Sequence, residues 1–148
     1  MSRYAVLKPR RSGTTVVETA VVIGMFLMLL FGIFEYARLL YTRQLVTNAA
    51  REGARYAVCH TYDSTVVADT QKLVKTYLGG MDTMPNYKCL VYQADTAGNN
   101  IGAATDTQFG VYIAVEISLT YTPLTPSFLH LNSTMTISSK CCMGSEAN

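Results

Sequence analysis

The sequence predicts an α+β fold: a long N-terminal helix with a membrane half and an outer half, a second helix, and a small antiparallel sheet of about three strands. Three observations predict it. The run from Thr19 to Phe34 contains no Asp, Glu, Lys, Arg, His, Asn or Gln. A helical pattern continues past that run, without Pro, to about Val58. Further on, apolar and polar residues alternate with the two-residue period of a strand. With 148 residues, 49% of them hydrophobic and 15% charged, the chain has one domain's length and is too apolar for a disordered, solvating polymer.

The charges are unevenly placed. Arg3, Lys8, Arg10 and Arg11 precede the apolar run, and no acidic residue comes before Glu18. The formal net charge of +2 is therefore a leader of +4 joined to a remainder of −2, where eight basic residues face ten acidic ones. The basic excess does not mark a nucleic-acid partner. The remainder has no basic patch with interleaved aromatics, which such a site needs.

Thr19 to Phe34 is 16 residues. As a helix it covers roughly 24 Å, short of a hydrocarbon core of about 30 Å. Adding Val16 and Val17 nearly closes the gap and sets Glu18 at or just inside the membrane boundary, giving a span of about residues 16–34. A signal peptide shares the basic start and apolar middle, but here Glu35, Tyr36, Ala37 and Arg38 continue the helix with no small-x-small cleavage site. A retained, single-pass anchor is expected, with the N-terminus cytoplasmic and the body outside. Tyr36 and Tyr41 suit the membrane–water boundary.

Leu39, Val46, Ala50, Gly53 and Ala57 recur at three-, four- or seven-residue spacing, so the helix is expected to continue well beyond the membrane. Glu35 with Arg38, and Glu52 with Arg55, are i,i+3 pairs that support it. Small residues repeat every four: Ala20 and Gly24 in the membrane half, Ala49, Gly53 and Ala57 in the outer half. Such residues let another backbone approach closely. The outer set is expected to pack on the chain's own body. For Ala20 and Gly24, a partner helix and plain lipid are equal alternatives.

At the junction, Arg10-Arg11-Ser12-Gly13 is followed by Thr14 and, five residues after Gly13, by Glu18. A carboxylate in hydrocarbon costs a few kcal/mol, about 2.5–3.5 on insertion scales. The junction resembles that of type IV prepilins, which are cut after the Gly; such a cut here would create an ammonium on Thr14, one helical turn from Glu18, able to neutralise it within one subunit or between neighbours. The simpler alternative is a Glu favoured by the helix macrodipole.

This pattern of basic leader, Gly, Glu and apolar helix resembles type IV prepilins. With Leu30-Phe31-Gly32-Ile33-Phe34-Glu35-Tyr36-Ala37-Arg38 and Thr47-Asn48-Ala49-Ala50-Arg51-Glu52-Gly53-Ala54-Arg55-Tyr56-Ala57, residues 11 to 58 resemble TadE-like proteins, pseudopilins of the tight-adherence (Tad/Flp) pilus. The resemblance implies a pilin-like fold and a substrate of a prepilin peptidase, processed between Gly13 and Thr14. It implies Glu18 as the assembly carboxylate. The implied partners are sister pseudopilins, pilus subunits and an inner-membrane assembly platform, beside the lipid bilayer itself. Gly24 stands where the family frequently has a helix-kinking Pro, so a straighter membrane helix is expected; Thr19 stands where it usually has an aromatic residue. The divisions are residues 1–13, leader; 14–58, long helix; 59–148, extracytoplasmic body. A structural pilin subunit, and a bitopic binding or redox protein acting through Cys141-Cys142, are the rival readings.

In the body, Asp63 can cap a second helix bearing Val66, Val67, Thr70, Leu73, Val74, Tyr77 and Leu78, which Gly79-Gly80 ends. Tyr87 to Gln93 reads as a strand, Asp95 to Asp106 as a loop or hairpin tip, Phe109 to Tyr121 as the clearest strand, and Ser133 to Lys140 as the last. Pro123 and Pro126 force a connection. Cys59, Cys89, Cys141 and Cys142 all fall in the body, where an oxidising compartment favours disulfides. Of three possible pairings, those that join Cys59 and Cys89 each to the C-terminal pair are expected, because adjacent cysteines form a strained ring. No catalytic motif, metal-ligand set or cofactor-binding pattern is present: His60 and His130 stand apart, Asp95 and Asp106 read as solvated loop residues, and Asn132-Ser133-Thr134 carries little weight as a glycosylation acceptor. A non-enzymatic protein is expected.

Overall fold

The computed structural model describes residues 12–105, 107–124 and 134–145. Residues 1–11, expected to form most of a leader, and Asp106, Pro126, His130, Asn132 and Ser133 lie outside the described residues. The order of elements is α1 (Ser12–Cys59), α2 (Val66–Leu78), a short 3-10 turn (Met81–Thr83), then β1 (Lys88–Ala94), β2 (Asn100–Ala103), β3 (Tyr112–Tyr121) and β4 (Met135–Gly144). This is the α+β architecture the sequence predicts, with one more strand than expected.

α1 runs 48 residues without a break, about 70 Å at 1.5 Å per residue. Most of its first half is open: Val21, Met25, Phe26 and Leu29 are all exposed. Its second half is the spine of the core. Val46, Ala49, Ala50, Ala54 and Ala57 are fully buried, at the three- and four-residue intervals that line one helical face. His60 closes the helix, its Nδ1 lying 2.9 Å from the Tyr56 carbonyl and its ring stacked on the Tyr56 ring.

α2 lies beside α1, burying Val66, Thr70, Val74 and Leu78 along one stripe. The expected side-chain cap from Asp63 does not form. Thr65 holds the N-cap position without a side-chain bond, and Asp63 contributes its backbone carbonyl to the Val66 amide instead. Gly79 ends the helix in the left-handed conformation, at φ 58°, where its amide returns to the Thr76 carbonyl.

The four strands are antiparallel in the order β2-β1-β3-β4. The unpredicted β2 arises within the stretch read as a loop. Asp95 accepts hydrogen bonds from the amides of Ala97 (2.9 Å) and Asn99 (2.7 Å), and Gly98 adopts φ 81°, so the chain reverses tightly enough for Asn100–Ala103 to pair with β1. β4 starts later than expected and extends through both C-terminal cysteines. On β3, Ile113, Val115, Ile117, Leu119 and Tyr121 face the helices, with Ile137, Cys141 and Met143 beside them on β4. Glu35 of α1 lies against the Tyr121 end of β3 and Ala57 packs with Ile113 at the other, so α1 runs antiparallel to β3.

Candidate functional site

The functional features follow α1 from its start to the point where it meets the sheet. Gly13 and Thr14 lie in the first turn, where amides have no intrahelical acceptor, so few backbone bonds oppose local unwinding. Nothing approaches within 4 Å of a Cβ built at Gly13. Glu18 lies on the exposed helix, beside Thr14, Val17, Val21 and Val22. Thr19 turns its hydroxyl inward to the Thr15 carbonyl at 2.7 Å, which satisfies a polar group in the apolar run without water. Ala20 and Gly24 are exposed, and a Cβ at Gly24 would meet nothing within 4 Å. Among the described residues, one helix is long and apolar enough to cross a membrane; its most apolar window has a mean hydropathy of 2.4 and is 0% buried.

The outer small residues have a different environment. Ala49 and Ala57 are fully buried against the chain's own body. A Cβ at Gly53 would lie 2.7 Å from Val74 Cγ2 and 3.4 Å from Val115 Cγ1, so α1 and α2 approach more closely there than a side chain allows.

Just past the apolar run, α1 grips the end of β3. Glu35 accepts hydrogen bonds from the Tyr121 hydroxyl at 2.5 Å and, with both carboxylate oxygens, from the Leu124 amide at 3.3 Å. Arg38, one turn on, donates through Nη2 to the Thr122 carbonyl at 2.8 Å and lies 4.8 Å from the centre of the Tyr121 ring. The Tyr121 hydroxyl is held above its ordinary pKa, first by burial and then by the hydrogen bond to Glu35. Sequence reasoning missed this clamp because it paired Glu35 with Arg38. The structure sends both to the sheet, while Glu52 and Arg55 do form their pair, at 3.5 Å. The available signal was a charged i,i+3 pair placed immediately after the last apolar residue, together with a large tyrosine at the end of the strongest strand.

The four cysteines do not come together in the expected way; all are free thiols. Cys89 stands opposite Ile117 and Cys141 opposite Val115, so β3 separates them. Two strand spacings are about 9.6 Å, beyond the roughly 4.4–6.8 Å between Cα atoms that a disulfide spans. Cys141 and Cys142, adjacent on a strand, point to opposite faces. Cys141 faces α1, and Cys142 lies on the outer face against Gly98. Cys59 is exposed at the end of α1. Burial raises the thiol pKa of both Cys89 and Cys141. The outer face also carries Tyr92, whose hydroxyl donates to Glu116 at 2.9 Å, and Lys140, which donates to the Gly98 carbonyl at 2.8 Å. Among the described residues, no three His, Cys, Asp or Glu side chains gather where they could hold a metal ion.

Comparison with curated proteins and with solved structures gave no match. The family model of TadE-like proteins matches residues 13–55, all within α1. Over its long N-terminal helix, then, the chain is similar to TadE-like proteins.

Proposed function

We propose that the chain is a pseudopilin of a Tad/Flp-type pilus, cut by a prepilin peptidase between Gly13 and Thr14, anchored through α1 in the inner membrane, and active in pilus assembly or initiation. The observation that carries this reading is the arrangement at the head of α1: a basic leader, a glycine in a first turn that unwinds at little cost, and a carboxylate five residues further on at the start of an exposed apolar helix. Cutting leaves an ammonium on Thr14, which an i,i+4 spacing puts beside Glu18. Charge neutralisation of this kind lets the carboxylate enter hydrocarbon, either in the bilayer or among packed subunit helices. Removal of the leader takes away four basic residues, and the mature chain carries −2 in side-chain charge.

In this reading the N-terminus starts in the cytoplasm and the sheet lies outside, since the leader holds the basic residues nearest the span. The exposed membrane half, including Ala20 and Gly24, is the surface against which sister pseudopilins and pilus subunits pack. The buried outer small residues serve the chain's own core. The protein needs no cofactor and performs no chemistry itself.

The test is the mature N-terminus. Coexpression with the cognate prepilin peptidase should give a chain starting at Thr14, and Gly13→Ala should abolish the cut. A persistent Met1 terminus under those conditions would refute the mechanism. Glu18→Ala should be inserted and cut normally yet fail in pilus assembly; normal piliation by that variant would remove the role assigned to Glu18.

A further inference from the structure

We infer that the Tyr121–Leu124 end of the body is a second membrane contact, with Leu124 seated in the lipid interface beside the point where α1 leaves the bilayer. The inference rests on the reading of residues 16–34 as a membrane span, and extends it from the helix to the body.

Three observations support it. The first is height. Glu35 immediately follows the last residue of the apolar run, and both its oxygens hold the amide of Leu124 at 3.3 Å. Leu124 is therefore tied to the first turn after the membrane, although it is 89 residues away in sequence. The second is exposure. Leu124 is 74% exposed, directly after a β3 whose inward side chains are buried, so this apolar side chain finds no cover within the described residues. Tyr36, the residue after Glu35 on α1, is 63% exposed and is an interfacial residue by its chemistry.

The third is the length of the span. Residues 16–34 cover roughly 28 Å of a hydrocarbon core of about 30 Å, so Glu35, the next residue, stands at its outer boundary. A bare carboxylate there would be costly. Glu35 is not bare: the Tyr121 hydroxyl and the Leu124 amide donate to it, and Arg38 supplies a cation one turn higher, its own head bonded to the Thr122 carbonyl. The clamp thus supplies from protein the donors that water would otherwise provide. It also fixes the body against the bilayer surface, where a single helical stalk alone would leave its tilt free.

The chain contains no tryptophan, so single-tryptophan variants report without background. Full-length Leu124→Trp, Phe26→Trp and Phe109→Trp are reconstituted in phosphatidylcholine–phosphatidylglycerol vesicles containing lipids brominated either near the headgroup or deep in the chain. Phe26 lies in the span, and Phe109, 77% exposed, lies before the opposite end of β3. Leu124→Trp should show blue-shifted emission, quenched more by the shallow bromines than by the deep ones. Phe26→Trp should be quenched more by the deep ones. Phe109→Trp should be quenched by neither and remain open to aqueous acrylamide, which controls for tryptophan's own affinity for interfaces. A Leu124→Trp signal that resists both lipids while Phe26→Trp is quenched overturns the second contact and leaves the anchor standing. Equal quenching at Leu124 and Phe109 also overturns it, since the body would then lie on lipid without orientation. An unquenched Phe26→Trp overturns the span itself, and the inference with it.

Discussion

Glu35 on α1 and Tyr121 at the end of β3 share a hydrogen bond of 2.5 Å across 86 residues of sequence. Tyr121 is 1% exposed, and its ring carries the Arg38 guanidinium on one side, so the pair joins the membrane end of the helix to the strongest strand. Hydrogen bonds to charged groups contribute about 1.5–3 kcal/mol. Tyr121→Phe should therefore lower the stability of the full chain in detergent micelles by about 1–2 kcal/mol, the Leu124 amide keeping part of the carboxylate satisfied. Urea unfolding followed by circular dichroism measures this. In a double-mutant cycle with Glu35→Gln, the two losses should be clearly non-additive; full additivity would mean that the bond contributes nothing of its own.

Much of this architecture is legible in the sequence because its signals are long. An apolar run followed by a three- and four-residue pattern leaves few alternatives to one extended helix, and five alternating apolar positions from Val111 to Leu119 identify β3. β2 was not legible. Asn100–Ala103 has one β-branched residue, and it becomes a strand only because Asp95 ties the preceding turn and β1 offers an open edge. The cysteine pairing failed for a related reason: spacing along the chain says nothing about strand order, and β3 intervenes between β1 and β4. Glu35 and Arg38 were misassigned because a local i,i+3 partner is visible in sequence and a strand end 86 residues away is not.

At Gly53, α1 packs against α2 with no room for a side chain. In Gly53→Ala, the new methyl would lie 2.7 Å from Cγ2 of a buried, stiff Val74. Overpacking of this kind costs about 1–3 kcal/mol, against a gain in helix propensity of about 1 kcal/mol. A net destabilisation of about 1 kcal/mol is expected, and it should shrink when Val74→Ala is added, because that change removes the methyl in the way. Thermal unfolding of the single and double variants checks both statements. A stabilised Gly53→Ala would show that the two helices can separate freely.

The free thiols should divide into two reactivity classes. Cys59 and Cys142 are exposed, whereas Cys89 and Cys141 are part-buried with thiol pKa values raised by burial. The thiolate is the reactive form, so both access and ionisation slow the second pair. Titration of the folded chain with a thiol-specific reagent at neutral pH should show two fast and two slow groups, and unfolding should make all four fast. A non-reducing digest with Cys89 linked to Cys141 would contradict the strand register.

Tyr92 gives the body a defined alkaline limit. Its phenol is pushed up from 10.0 to about 12, first by burial, then by the hydrogen bond it donates to Glu116 and by that carboxylate's charge. Below pH 10 the phenol is protonated in both folded and unfolded chains, so its contribution is fully present. Between 10 and about 12 the unfolded chain loses the proton while the folded chain keeps it, and stability falls as pH rises. Tyr121 and Tyr87, also raised mainly by burial, act in the same direction. The raised thiols of Cys89 and Cys141 act in the same direction from about pH 9, so the stability of the full chain in micelles should begin to fall there and fall more steeply above about pH 10. Tyr92→Phe should start from a lower value but decline less steeply, because one of the contributing phenols is gone. Phenolate absorbance should show a late-titrating tyrosine that Tyr92→Phe removes. If the slopes of wild type and variant coincide, the Tyr92–Glu116 bond does not persist in solution.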